Sequence, residues 1–510
     1  MNSDGRLRNS AKNMVSGMLF RFLSMLTAFV VRTVFIKCLS NDYLSVNGLY
    51  SSILNMLSLA ELGFSTAMVY SMYKPLAEKD YIKLSQIMRL YKRVYWIIGA
   101  VVLFIGLLIV PFLDVIIKNK PDIEGLTFYY LLFLFNSVLS YWFFAYMSSL
   151  LQADQRASVI SNYSTIFNLI KTVIQIVLLL AFKNFTIYLI AQMLCTIFQN
   201  IAIAVRVKKD YPIFSNSKEE LPRQEKKRIF DDVKALMLQK ISFKILNTSD
   251  SIIISAFVGL NWVGLLSNFI MIEEAIVAVL SQVTSAISAS LGNLFVESDD
   301  ETGYIMFKRV DFMNYWLYAF SAIALITLSN PFVKIWLGEN YLLSNIAIVA
   351  LFSRFFIEGY INTMSTFRSA LGLFKQGKYL PLVVAVLNIV LSIGLSYPLG
   401  LAGVLFATPI SRLCINGWYM PLVIHRDGFN KPVKPYYFKL LFRLSLLACV
   451  VVVMQLISSA VFAGGVTIIK FIIMVIITAI LPNMVFLIVF CRNDEFKYFK
   501  NLVVHRLLKR

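Results

Sequence analysis

Apolar runs of about 20 residues, long enough to cross a bilayer, recur along this chain from end to end. Inside hydrocarbon every backbone N–H and C=O must be paired within its own segment, so runs of this length fold as α-helices. The chain is 58% hydrophobic and only 15% charged, whereas an ordinary soluble protein carries about 25% charge. Its mean hydropathy is +0.72. The fold class is therefore an all-α polytopic membrane protein, with about fourteen transmembrane helices judged by length and interruption.

The arrangement repeats. On a shift of about 219 residues, the segment 39–45 lies on 258–264, and Arg21 falls on Lys240. This register predicts two pseudo-symmetric six-helix lobes, residues 1–207 and 235–424. The polar linker 208–234, with Pro212, Pro222 and Glu225-Lys226-Lys227-Arg228, separates them. Residues 425–510 add two further helices and a tail. Basic residues concentrate in alternate loops, which by the positive-inside rule places both termini in the cytoplasm. The same pattern explains the net charge of +20 without a nucleic-acid partner. The polar, basic stretch 1–13 runs into a long apolar segment, so no cleavable signal peptide is expected.

Several functions are disfavoured. The five cysteines are scattered, with neither metal-ligand spacing nor a disulfide framework. The two histidines, His425 and His505, fall in basic loop or tail segments, which argues against zinc or a histidine-based catalytic pair. The loops on the outer side, such as 260–262 and 398–400, leave no room for a folded enzyme site.

The informative residues are the charges inside the apolar runs, each costing about 2.5–3.5 kcal/mol on insertion scales. Such residues face the bundle interior or a water-filled cavity. The cations are Arg21 and Arg32 in helix 1, Lys171 in helix 5, Lys240 and Lys244 in helix 7, Arg354 in helix 10 and Arg412 in helix 12. Lys240, Lys244, Asn247 and Ser251 form one helical stripe, and Asn168, Lys171 and Gln175 form another. The acids are Glu61, Asp250, Glu273, Glu274 and Glu358. A repeated buried cation suggests a central anionic ligand, with the seven cations as substrate-binding candidates. Glu61, Asp250, Glu273 and Glu358 are candidates for proton or sodium coupling, Asp250 foremost.

Plainer roles stand beside these. Arg32 is close enough to a helix end to snorkel. Arg354 and Glu358 are i, i+4 neighbours that can neutralise each other. Glu61 can pair with Arg21, and Asp250 with a lysine of its own helix. Arg443 and Lys470, near the ends of helices 13 and 14, are explained by snorkelling, which makes those two helices peripheral.

A family resemblance rests on Tyr70-Ser71-Met72-Tyr73-Lys74-Pro75-Leu76-Ala77-Glu78-Lys79-Asp80, on 250–259, on Gly264-Leu265-Leu266-Ser267-Asn268, on 367–377, on Asn388 with Ser392, and on Pro398-Leu399-Gly400-Leu401-Ala402-Gly403-Val404. In order and spacing these resemble the Wzx-type polysaccharide flippases of the MOP exporter superfamily, from Arg8 to about Asn430. The chain departs from that pattern between helices 1 and 2, where Ser40 and Ser45 stand in place of glycine. The resemblance implies two lobes around a cationic cavity open to one side at a time. The substrate would be an oligosaccharide on undecaprenyl diphosphate, crossing from the inner to the outer leaflet of a bacterial cytoplasmic membrane during surface polysaccharide biosynthesis. A diphosphate is a dense anion suited to Lys and Arg. No cofactor is implied beyond a coupling proton or sodium ion. The partners implied are lipid-linked oligosaccharide, membrane lipids and other polysaccharide assembly proteins. A MATE-like cation or drug antiporter ranks second, since it should favour acids over bases in its cavity. A membrane polymerase or glycosyltransferase ranks third, for want of a large loop to build its site.

Overall fold

The computed structural model describes residues 24–61, 64–211, 220–297, 300–373 and 376–508. Arg21 lies outside the described residues, as do the side chains of Lys240 and Asn247. Among the described residues the chain is helical, with no strand. Nine helices are long and apolar enough to cross a membrane, or ten if one bent pair is a single span. One of the nine segments, Leu380–Gly428, holds two helices joined at Gly400. The figure of about fourteen remains a reading of the sequence. By contact clustering the chain divides into two compact units, Met1–Gly264 and Leu265–Arg510.

The first unit contains α1 (24–38), α2 (Asn41–Leu57), α3 (Phe64–Ala77), α4 (Tyr81–Ile109), α5 (Leu126–Trp142), α6 (Ser148–Ala153), α7 (Ala157–Phe182), α8 (Phe185–Asp210) and α9 (Arg223–Ile253). The run expected as helix 2 is broken: a 3₁₀ turn, Ser58–Glu61, separates α2 from α3. The run expected as helix 4 is also broken, because Phe144 takes φ +60° and the flanking helices bend by 45°. The second half of the expected linker is helical, since α9 begins at Arg223. Glu225 in its first turn suits the positive end of the helix dipole. The linker is also tied to α4, through Glu220 with Arg93 at 2.6 Å and Glu225 with Lys83 at 2.8 Å. Lys226 and Arg93 hold the Glu220 carboxyl down to about 2. α9 packs against α2 and α3.

The second unit contains the remainder of α10 (Leu260–Glu297), then α11 (Asp300–Trp336), α12 (Asn345–Ala370), α13 (Leu380–Val423), α14 (Lys434–Val461), α15 (Ile468–Phe490) and α16 (Asp494–Leu508). α11 is the hub, packing against α12, α14 and α15 around buried Tyr315, Phe352, Phe355 and Phe486. α13 turns at Gly400, whose φ of +55° suits a residue without a side chain.

The two segments matched by the repeat touch each other inside the first unit. A Cβ added to Gly264 would stand 2.2 Å from Ser45 Oγ and 3.0 Å from the Ser45 backbone nitrogen. Ser45 and Gly264 are equivalent positions in the expected repeat register. The Asn41 side-chain amide donates to the Asn261 side chain, and Ser45 Oγ donates to Asn261 O at 3.4 Å. Segment 116–118 joins this contact: Lys118 N–H donates to Ser255 O and Leu260 N–H to Lys118 O, both at 3.2 Å. Lys118 Nζ donates to Phe257 O at 2.6 Å, and Ser255 Oγ to Ile116 O at 2.8 Å. Small residues at such a crossing let backbones approach closely. Gly264→Val is therefore expected to cost about 1–3 kcal/mol by overpacking, read as a lower unfolding midpoint in detergent. Adding Ser45→Gly should restore only part of it, because backbone also lies in the way.

Candidate functional site

Three charges of the first unit, Glu61, Lys171 and Lys244, meet neutral partners. Glu61 sits at the break between α2 and α3, half-buried. It accepts hydrogen bonds from the hydroxyls of Tyr95 and Tyr141. Tyr91 donates to Tyr95 at 3.3 Å and accepts from Ser149 at 3.1 Å, and the ring of Tyr146 packs on both Tyr91 and Tyr95. The result is a carboxylate in a cage of tyrosines drawn from α4, α5 and the turn before α6. The i, i+4 spacing of Tyr91 and Tyr95 was the available sequence signal, hidden because the apolar run begins only at Val94.

A second polar group joins α1, α7 and α8. Arg32 on α1 lies within electrostatic reach of Tyr188 on α8, which neighbours Gln175 on α7. One turn before Gln175, Lys171 Nζ donates to Asn168 Oδ1 at 3.0 Å. The expected stripe of Asn168, Lys171 and Gln175 is thus one continuous feature. On α9, Lys244 Nζ donates to Asn55 Oδ1 of α2 at 3.4 Å. Asp250 is buried on the same helix, just before a π-helical turn, Ile254–Val258. Among the described residues neither Lys171 nor Lys244 has a carboxylate within 4.0 Å.

In the second unit three arginines, Arg354, Arg412 and Arg443, pair with acids. Arg354 Nη2 on α12 reaches both carboxylate oxygens of Glu273 on α10, at 3.3 and 3.1 Å. One turn on, Glu358 accepts from Arg412 on α13 at 2.9 Å. Arg354 and Glu358 thus each reach a partner on a neighbouring helix. Each pairs sideways, so that α12 is clamped to α10 and to α13.

Arg443 corrects an expectation. It does not snorkel: its side chain is fully buried, with Nη1 2.6 Å from Asp311 Oδ2 of α11. Tyr360 of α12 and Tyr436 of α14 complete the network, with Tyr436 donating to Asp311 at 3.3 Å. A charge pair this deep ties α14 into the bundle, so α14 is not merely peripheral. His425 also moves from its expected loop: it is buried at the end of α13, its ring packed on Tyr436, with Nδ1 2.8 Å from Pro421 O. Nothing in the local sequence of Asp311 or Arg443 names the other.

A family model described as polysaccharide biosynthesis protein matches residues 10–291. That is more than half of the chain, and the protein belongs to this family. A comparison with curated protein sequences finds no match. Among solved structures, the chain is similar to the inward-facing conformation of a multidrug resistance MATE family transporter of the MOP superfamily, with TM-score 0.62 and 15% identity over 84% of this chain and 95% of that one. It is also similar to the lipid II flippase MurJ in an inward closed conformation, with TM-score 0.60 and 15% identity over 93% of this chain and 99% of that one. A third is a mutant form of the Vibrio cholerae MATE transporter VcmN, with TM-score 0.56 and 14% identity over 84% and 98%. At these identities the likeness is one of fold: an all-helical membrane protein with the architecture of MOP-superfamily transporters.

The Arg354–Glu273 pair gives a direct test of its structural role. Glu273→Gln removes the carboxylate that faces a nearly buried guanidinium, and breaking a buried pair in this way costs about 3–5 kcal/mol. The Glu273→Gln/Arg354→Gln double variant is expected to recover most of that loss. Thermal unfolding in detergent reads both, and a double variant no more stable than the single one counts against the pair.

Proposed function

We propose that this protein is a flippase. It moves undecaprenyl-diphosphate-linked oligosaccharide repeat units from the inner to the outer leaflet of the bacterial cytoplasmic membrane, for surface polysaccharide biosynthesis, by alternating access. The observation that carries this reading is the state of Lys171 and Lys244. Both are cations in the expected transmembrane segments, and their hydrogen-bond partners are amides rather than carboxylates. A cation left unneutralised in a low-dielectric setting favours an anionic ligand, and a diphosphate supplies the densest charge available there. Arg32 extends this group, with Arg21 and Lys240 as its proposed continuation. Arg354 and Arg412, neutralised by Glu273 and Glu358, serve helix packing in this reading. Both termini lie on the cytoplasmic side.

Reconstitution into liposomes with a fluorescent undecaprenyl-diphosphate oligosaccharide tests the proposal. Lys171→Gln and Lys244→Gln are expected to slow flipping by roughly tenfold or more, the effect of about 1.4 kcal/mol, with normal insertion. Lys→Arg at the same positions should be milder. Full flipping by the Lys171→Gln/Lys244→Gln double variant rejects the site.

Glu61, which meets hydroxyls, and Asp250, buried on α9, are the acids proposed for ion coupling. Glu61 with its neighbouring hydroxyls offers oxygen ligands of the kind a small hard cation takes. Glu61→Gln and Asp250→Asn should make flipping indifferent to an imposed pH or sodium gradient while leaving substrate binding intact. Undiminished gradient dependence in both variants excludes coupling through these acids.

A further inference from the structure

The second unit holds a cavity of about 640 Å³ that none of the charged residues lines. It lies between α12 and α13 on one side and α14 on the other, with α11 as its floor. Ala322 and Ile326 of α11, Phe352 and Phe356 of α12, Pro409 of α13 and Val451 of α14 represent its walls. It exists because α14 packs chiefly on α11 and α15. Near one end α14 is held by the Arg443–Asp311 pair. From Leu444 onward it stands away from α12 and α13.

Four features describe the occupant. The lining is almost wholly apolar. Its lip, formed by Val452 and Leu456, is 58% and 64% exposed and runs into the apolar outer surface of α14, so a hydrocarbon chain enters without crossing a polar barrier. Apart from Ser353, the polar lining groups gather at one end: Asn345 opens α12, while Gln455 and Ser459 lie in the last turns of α14. The groove follows α14 from Leu444 to Ser459, a length of about 22 Å at the helical rise.

That length exceeds one leaflet of a hydrocarbon core about 30 Å thick and matches a single extended acyl chain. A polyprenyl tail is much longer and would overrun the groove, and no cation lines it to hold a diphosphate. Phospholipids are also the bulk component of the surrounding phase, so mass action favours them. We propose that this groove is a lipid site that holds one acyl chain of a membrane phospholipid. The ester and head region lies against Asn345, Gln455 and Ser459, and the chain fills the gap between α14 and the α12–α13 pair. The site does not depend on what the protein transports.

The test uses the full-length protein in vesicles of phosphatidylglycerol carrying a photoactivatable diazirine at mid-chain, with adducts mapped by peptide mass spectrometry after irradiation. Adducts are expected on the groove-facing residues of α12 and α14, roughly tenfold above those on the lipid-facing side of α15. Native mass spectrometry from mild detergent should show one retained phospholipid per chain. Ala448→Phe, which fills the groove, should abolish both signals and leave the protein folded. If that variant fails to fold, the map on the wild-type chain still decides. Uniform labelling over all outward-facing helices overturns the site. So do retention of polyprenyl phosphate in place of phospholipid, and cross-links to a second copy of the chain.

Discussion

A charge in hydrocarbon must be met by something, and that requirement organises this molecule. The desolvation penalty for a single ion inside a protein is several kcal/mol after relaxation, comparable with the whole stability of many domains. Here it is met in three ways. Arg354 with Glu273, Glu358 with Arg412, and Arg443 with Asp311 are ion pairs between helices. Glu61 is surrounded by hydroxyls. Among the described residues Lys171 and Lys244 are met by amides. The first solution locks helices together, and its charges are already neutralised. The last two leave charge that responds to an ion or ligand, which is why the functional reading rests on them.

The first unit adds a different kind of contact. The loop that opens α10 is placed against α2 by the absence of a side chain at Gly264. It is then held by backbone bonds to the segment around Lys118. Such bonds are individually modest, about 1 kcal/mol each.

α14 combines both kinds of contact. Its buried arginine anchors one end, and its other end stands off from α12 and α13 across an apolar gap. Helix packing in a bilayer is not driven by water exclusion, because lipid tails are as apolar as the helix surface. A gap that would collapse or fill in a soluble protein can therefore persist here, with hydrocarbon as its natural content.

Much of this was legible in the chain alone. Apolar run length and local backbone pairing are one-dimensional properties, so helices and membrane location could be read directly. The cost of a charge in hydrocarbon is largely independent of its partner, so Glu61, Lys171, Lys244 and Arg354 could be singled out as residues needing explanation. Arg21 and the Lys240 side chain lie outside the described residues, and their roles rest on the sequence. What each charge pairs with depended on the tertiary structure. Glu273 is 81 residues from Arg354, and Asp311 is 132 from Arg443. No local pattern encodes which face of one helix meets another. Arg443 near a helix end reads as a snorkelling side chain until α11 is placed beside it, because burial belongs to the packed bundle and not to the helix that carries the residue.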